Sequence, residues 1–152
     1  MRVLIGTDGS DDAVAAAVQG LAILGPPDSV IVACSVDAPV VASQGLESGF
    51  GGGIATPDTI EKAWSVVENE ADTAIERTVA ALPAALTIER VVTDGDAGRA
   101  LCHLATEREA DAIVIGTRGR GAIKRALLGS VSTYVSRHAP CAVVIVPARA
   151  GR

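Results

Sequence analysis

The chain has 152 residues with a formal net charge of -5, a length that suits one domain burying roughly two thirds of its unfolded surface. Apolar residues make up 49% of it and aromatics 2%, so the core must be filled by Val, Ile, Leu and Ala, as in buried parallel strands and the helices that cover them. An acidic chain with one Phe, one Tyr and one Trp lacks the basic stripe and stacking aromatics of a nucleic-acid binder, and no run approaches the roughly 18 apolar residues of a membrane span.

Short apolar runs alternate with longer segments of helical period, the pattern of βαβ units around a parallel sheet. The first run, Val3 to Gly6, precedes Thr7-Asp8-Gly9 and a helix opening at Ser10, with Asp11 and Asp12 in the first turn, where the helix dipole favours acids. The predicted apolar face of that helix is Val14, Ala17, Val18 and Leu21, and Gly25, Pro26 and Pro27 stop it. The opening MRVLIGTDGS has too short an apolar run and too early an acid for a signal peptide, so the expected location is the cytoplasm.

The second run is Val30 to Val36. After it, Asp37 to Ala55 contains Gly45, Gly49, Gly51, Gly52 and Gly53 and is assigned to neither helix nor strand; a loop of that length in a small domain is often functional or mobile. Thr56-Pro57 reads as an N-cap with proline at the first helical position. Ile60, Trp64, Val67, Ala71, Ile75, Val79 and Leu82 then keep a helical period until Pro83. The third run, Leu86 to Thr93, carries Glu89 and Arg90 in its middle, which points to a sheet edge. Asp96 caps a helix whose face is Ala97, Ala100, Leu101, Leu104 and Ala105. Asp111 to Gly116 is the fourth strand, Ser130 is expected to cap a helix to His138, and Cys141 to Val146 is the fifth strand, closed by Pro147.

These elements predict one α/β domain over residues 1–152: a doubly wound five-stranded parallel sheet of order 3-2-1-4-5, Rossmann-like, with helices on both faces. Its crevice lies where the sheet reverses direction, and Asp8, Val36 and Gly116 all fall at that end of the strands. Cys34, Cys102 and Cys141 are odd in number and set in apolar sequence, unlike a disulfide framework or a zinc site. His103 and His138 have no second ligand at metal spacing and are read as structural.

One stretch runs against the net charge. In GTRGRGAIKRALLGSVS, residues 116 to 132, Arg118, Arg120, Lys124 and Arg125 stand among Gly116, Gly119, Gly121 and Gly129. Glycines allow close backbone approach to a ligand, and a helix N-terminus presents unpaired N–H groups with partial positive charge. Gly129 precedes Ser130, so the N–H groups of Ser130, Val131 and Ser132 are expected to face a phosphate. No G-x-x-x-x-G-K-[ST] string occurs, and the pattern G-x-G-x-x-G meets Lys124 in place of its third glycine.

The spacing Gly116-x2-Gly119-x9-Gly129-Ser130, the opening strand ending in GTDGS, the helix after Gly95-Asp96 and the closing strand before Pro147 resemble the universal stress protein family, in its nucleotide-binding branch, over essentially the whole chain. The resemblance implies ATP as ligand, with or without Mg²⁺. It sets Asp8 at the adenine and ribose end, the backbone of Val36 against adenine, Gly116 and Gly119 at the ribose and first phosphate, and Gly129, Ser130 and Val131 at the phosphate tail, with a hydroxyl contact from Ser132. Gly6 stands where many relatives have proline, which is expected to loosen the turn before Asp8.

Other readings of the same residues stay open on sequence alone. Asp8 also suits an Asp-Gly turn, the three motif glycines suit a ligand-free loop, and the four cations suit a solvated face. A flavodoxin would want aromatics beside its flavin, and a receiver domain would want a Lys ending the last strand, where Pro147 stands. Hydrolysis needs a positioned base and metal ligands near the last phosphate, and no Asp or Glu lies within the glycine stretch. The expected function is a nucleotide-dependent regulatory protein of the stress response, read by an unidentified protein partner, with slow ATP hydrolysis at most and Asp37 to Ala55 as the segment to reorder. The alternatives are a weak Mg²⁺-dependent ATP hydrolase or phosphotransferase, and a nucleotide-free dimeric scaffold. Ala142 to Val146, uncharged and expected on a sheet edge, invites pairing and predicts a homodimer.

Overall fold

The computed structural model describes residues 1–37, 56–117 and 128–148. The segment 38–55, and with it the five glycines noted there, lies outside the described residues, as do Gly119, Gly121, Arg118, Arg120, Lys124 and Arg125. The element order is β1 (Arg2–Gly6), α1 (Asp11–Leu24), β2 (Ser29–Val36), α2 (Pro57–Ala80), β3 (Ile88–Asp94), α3 (Ala97–Glu107), β4 (Ala112–Gly116), α4 (Ser130–His138) and β5 (Ala142–Val146). The strands form a five-stranded sheet in the order β3-β2-β1-β4-β5, every pair parallel.

Side chains of successive strand residues alternate between the two faces of the sheet, and each face has its own apolar cluster. On one, Val3, Ile5, Val30, Val32 and Val114 pack with Ala17 and Leu21 of α1 and Ala71, Ala74 and Ile75 of α2. On the other, Leu4, Ile31, Ala33, Ile113 and Ile115 pack with Leu101, Leu104 and Ala105 of α3 and Val135 of α4. Helices α1 and α2 therefore cover one face, and α3 and α4 the other.

The caps explain most of the boundaries. Ser10 accepts a hydrogen bond from the Ala13 N–H, Thr56 from Thr59 with Pro57 behind it, and Asp96 from Arg99, each offering an oxygen to a donor that the first helical turn leaves unpaired. Gly25 ends α1 at φ 83°, its N–H bonded to the Leu21 carbonyl. Several sequence expectations differ from the structure, most of them by one residue at the end of a strand, and four bear on the packing. Val18 is 43% exposed, because α1 meets the sheet through Ala13, Ala16, Ala17 and Gly20; a Cβ on Gly20 would lie 2.2 Å from Val114 Cγ1, so closeness of approach, and not side-chain size, selects the buried stripe. Strand β3 begins at Ile88, since Leu86 is held in a turn by the Pro83 carbonyl (3.1 Å). Gly129 is the N-cap of α4 and Ser130 its first helical residue, with no side-chain capping bond. Gly6 is not loose: it pairs with Ala33, the next N–H, from Thr7, reaches the Ala33 carbonyl at 2.9 Å, and a Cβ there would meet Leu101 and Ile115 at 2.7 and 2.9 Å.

The charges on β3 fit its edge position. Arg90 pairs with Glu76 of α2 and Glu89 with Arg108 after α3, one to each face, and such pairs blunt an open edge. No helix among the described residues is long and apolar enough to cross a membrane.

Candidate functional site

Strand order decides which loops meet. The central strands β2, β1 and β4 are neighbours and run parallel, so their carboxyl ends open at the same end of the sheet, the usual place of a ligand crevice in such folds. Val36 closes β2, the Thr7-Asp8-Gly9 turn follows β1, and Gly116 closes β4. Ile5 is paired with Val114, which puts Gly116 level with Thr7. The structure thus brings Asp8, Val36 and Gly116 to one end, as the sequence predicts.

The Asp8 turn is tightly organised. Asp8 Oδ1 accepts hydrogen bonds from the Ser10 N–H at 3.0 Å and the Ser10 hydroxyl at 2.6 Å, and the Ser10 oxygen in turn accepts from the Ala13 N–H at 3.2 Å. One carboxylate oxygen is thereby committed to the start of α1. Gly9 takes φ 73° and packs against α2, where a Cβ would lie 2.7 Å from Ala74 Cα; here glycine is demanded by the fold.

Val36 is buried, and its carbonyl accepts the Gly95 N–H at 2.9 Å. A carbonyl has two lone pairs, so a second bond to a ligand is compatible with this one.

Gly116 and Gly129 differ from Gly9. Among the described residues the glycines with positive φ are Gly9, Gly25 and Gly95; Gly129 has φ -75° and ψ 172°, and Gly116 lies in β4, paired with Val146. Their backbones could carry any residue type, so conformation does not account for glycine at either position. The N–H of Gly129 donates to the Thr117 carbonyl at 2.7 Å, which draws the amino end of α4 onto the end of β4. Thr133 is the first α4 residue whose N–H engages the helix, on the Gly129 carbonyl at 3.0 Å; those of Ser130, Val131 and Ser132 precede the ladder. Ser130 is exposed and Val131 half-buried. Ser132 is 2% exposed, and its hydroxyl, expected to contact the ligand, donates instead to the Gly129 carbonyl at 3.1 Å and more weakly toward the Thr117 carbonyl at 3.4 Å, so it braces the amino end of α4 from within.

Two groups of residues escape the sequence reading. Thr117 joins three elements: its N–H reaches the Val146 carbonyl at 3.0 Å, its carbonyl accepts from Gly129, and its Oγ1 accepts from the Ala148 N–H at 3.1 Å. Thr7, Arg77 and Thr78 fasten the Asp8 turn to α2. Position beside Gly116 is the one signal that singles out Thr117; nothing in the helical period marks Arg77 or Thr78.

His103 pairs with Glu107 at 3.3 Å, and His138 Nδ1 meets the Tyr134 carbonyl at 2.8 Å with its ring stacked on Tyr134. No group of three metal-binding side chains is found among the described residues. None of Cys34, Cys102 and Cys141 is joined in a disulfide. Burial pushes the Cys102 thiol above its ordinary pKa, and burial, with Cys102 and Asp111 nearby, does the same for Cys141.

The sequence profile described as the universal stress protein family matches residues 1–147. The chain belongs to that family. It is 36% identical over 93 residues to the universal stress protein Slr1101 of Synechocystis, a stretch covering 60% of this chain and 86% of that one. Among solved structures, the protein MJ0577 superposes with a TM-score of 0.79 at 20% identity, over 99% of this chain and 97% of the other, a likeness of fold. A universal stress protein in complex with cAMP superposes with a TM-score of 0.59 at 28% identity, over 97% of each chain.

Proposed function

We propose that this universal stress protein binds an adenine nucleotide, ATP with Mg²⁺ in the first place, at the carboxyl ends of β2, β1 and β4 and the amino end of α4. The observation that carries this reading is that the fold brings the Asp8 turn, the end of β2 and Gly116 to one end of the sheet and draws the amino end of α4 onto the end of β4; Gly116 and Gly129 lack a positive φ, and close approach of a ligand to the main chain is a reason for glycine there that conformation does not supply. The N–H groups of Ser130, Val131 and Ser132 at the start of α4 suit phosphate oxygens. The cAMP complex of a relative supports an adenine nucleotide as the class of ligand.

In this reading Asp8 lies at the adenine and ribose end of the nucleotide, and the Val36 main chain pairs with adenine. Gly116 and Gly119 flank the ribose and first phosphate, and Gly129, Ser130 and Val131 cradle the phosphate tail, with Ser132 contributing its N–H. Arg118, Arg120, Lys124 and Arg125 supply positive charge in the same stretch of chain. Asp8 is occupied at the nucleoside end, so hydrolysis is slow at most and the nucleotide serves as a regulatory signal, in the cytoplasm, to a protein partner. Residues 1–152 act as one domain. The uncharged edge strand Ala142–Val146 is the surface for a homodimer.

The test is to denature the purified protein and identify the released small molecules by mass spectrometry. An adenine nucleotide approaching one per chain supports the reading. Protein that releases none, and that takes up none when incubated with ATP, ADP, AMP or cAMP, contradicts it and favours the dimeric scaffold.

A further inference from the structure

We infer that the carboxyl half of α2 is the element that positions Asp8, through Thr78 and Arg77, and that nucleoside affinity is set from this helix although it contributes no residue to the proposed site. The inference rests on the adenine-nucleotide reading for its ligand and on the geometry of the turn for its mechanism.

The contact between α2 and the turn is made at three points. First, Gly9 packs against the backbone of Ala74 so closely that no side chain fits between them. Second, a chain of hydrogen bonds crosses the interface. Thr78, fully buried, donates its hydroxyl proton to the Ala74 carbonyl at 3.0 Å. Its oxygen lies 2.8 Å from Thr7 Oγ1, so the Thr7 proton is directed to Thr78, and Thr7 Oγ1 then accepts the Gly9 N–H at 3.1 Å. A hydroxyl has one proton and two lone pairs, so the order Gly9 to Thr7 to Thr78 to Ala74 uses each proton once. Third, Arg77 donates to the Gly9 carbonyl at 2.7 Å and pairs with Asp11 in the first turn of α1. Gly9 is thus held by its N–H through Thr78 and by its carbonyl through Arg77, and its immediate neighbour is Asp8.

Both peptide groups flanking Gly9 are therefore fixed from α2, which fixes the direction in which Asp8 leaves the chain. The Arg77–Asp11 pair is solvent-exposed on both sides and contributes little by itself. The buried hydroxyl relay is the stronger part, because a buried polar group that loses its partner bears its full desolvation cost.

The experiment is calorimetric titration of adenosine, AMP and Mg²⁺-ATP into wild type, Thr78→Val, Thr78→Ser, Arg77→Met, Asp8→Asn and the Asp8→Asn/Thr78→Val pair, with amide hydrogen exchange of Gly9 and Ser10 measured against Leu4 and Ile5 in the ligand-free protein. A positioning role predicts that Thr78→Val weakens all three ligands by the same factor, about five- to thirtyfold, as one lost buried hydrogen bond allows. It further predicts that Thr78→Ser restores affinity, that Arg77→Met acts in the same direction, and that Thr78→Val has no further effect once Asp8 is Asn. Exchange at Gly9 and Ser10 should quicken in Thr78→Val while Leu4 and Ile5 stay protected. Equal affinity in wild type and Thr78→Val, or a loss confined to ATP, overturns the inference. Should wild type bind none of the ligands, the adenine-nucleotide reading fails and the exchange data decide the positioning claim separately: unchanged exchange at Gly9 and Ser10 overturns it.

Discussion

The Gly129 N–H donates to the Thr117 carbonyl at 2.7 Å, and through that bond the last residue of the glycine motif is joined to the residue after Gly116. The fold therefore brings the two ends of the motif together through a main-chain hydrogen bond. Because Gly129 has an ordinary φ of -75°, replacing it separates fold from function. Gly129→Ala should leave unfolding free energy within about 1 kcal/mol of wild type, the scale of an N-cap change, and weaken Mg²⁺-ATP at least about tenfold, or about 1.4 kcal/mol. Chemical denaturation and calorimetry on the same samples check both.

Asp8 Oδ1 accepts both bonds from Ser10, and asparagine retains that acceptor. Asp8→Asn should keep stability to within about 0.5 kcal/mol while reducing adenosine and ATP affinity by a similar factor, whereas Asp8→Ala should also lose about 1 kcal/mol of stability with the bonds from Ser10. If Asp8→Asn binds like wild type, the aspartate is a turn residue alone.

Asp96 provides a control on the same end of the sheet. Its carboxylate accepts the Arg99 N–H at 2.9 Å at the start of α3, so Asp96→Ala should cost about 1 kcal/mol as the loss of an N-cap. Nucleotide affinity should stay unchanged, and a lower affinity would show that the proposed site extends to α3.

The thiols carry a pH dependence. Cys102 and Cys141 have raised pKa values, burial being the first cause for both. The folded protein then keeps protons that the unfolded chain releases, so this contribution lowers stability as pH rises above about 8.5, the ordinary thiol value. Alkylation by iodoacetamide at pH 8, followed by mass spectrometry, should be slower at both than at a free cysteine, since the thiolate is the reacting form. A Cys102→Ser/Cys141→Ser protein should lose less stability between pH 8 and pH 10 than wild type.

A charge at the β5 edge tests the proposed dimer. Val144 lies in the middle of β5 and is partly buried against the α1 and α2 face, and Val144→Lys should give a monomeric mass by sedimentation at micromolar concentration where wild type gives a dimer. A monomeric wild type removes the dimer from the account.

How much of this was legible in the sequence follows from where its signals are local. The strands themselves and the Ser10, Thr56 and Asp96 caps rest on short apolar runs and capping residues that neighbours in sequence decide, and the strand order, with Asp8, Val36 and Gly116 at one end, then follows from the topology rules of parallel βαβ chains. Hydrophobic periodicity puts Val18 on the buried face of α1 because it weighs side-chain size, while the helix is seated by Leu21 and the small residues Ala13, Ala16, Ala17 and Gly20. The sequence points to Ser130 as the cap because a serine after glycine carries the same local signal as one at the cap itself, and the bond from Gly129 to Thr117 at the boundary is not local. The Thr7–Thr78 bond spans 71 positions, and two threonines so far apart announce nothing until the fold brings them together.

The central claim is that the main chain of Gly116, Gly129 and the start of α4 holds an adenine nucleotide. The most direct measurement is calorimetric titration of Mg²⁺-ATP into protein unfolded, stripped of bound small molecules and refolded. The account predicts saturable binding with one ATP per chain. No binding heat at two temperatures, in protein whose refolded state is confirmed by circular dichroism, would contradict it.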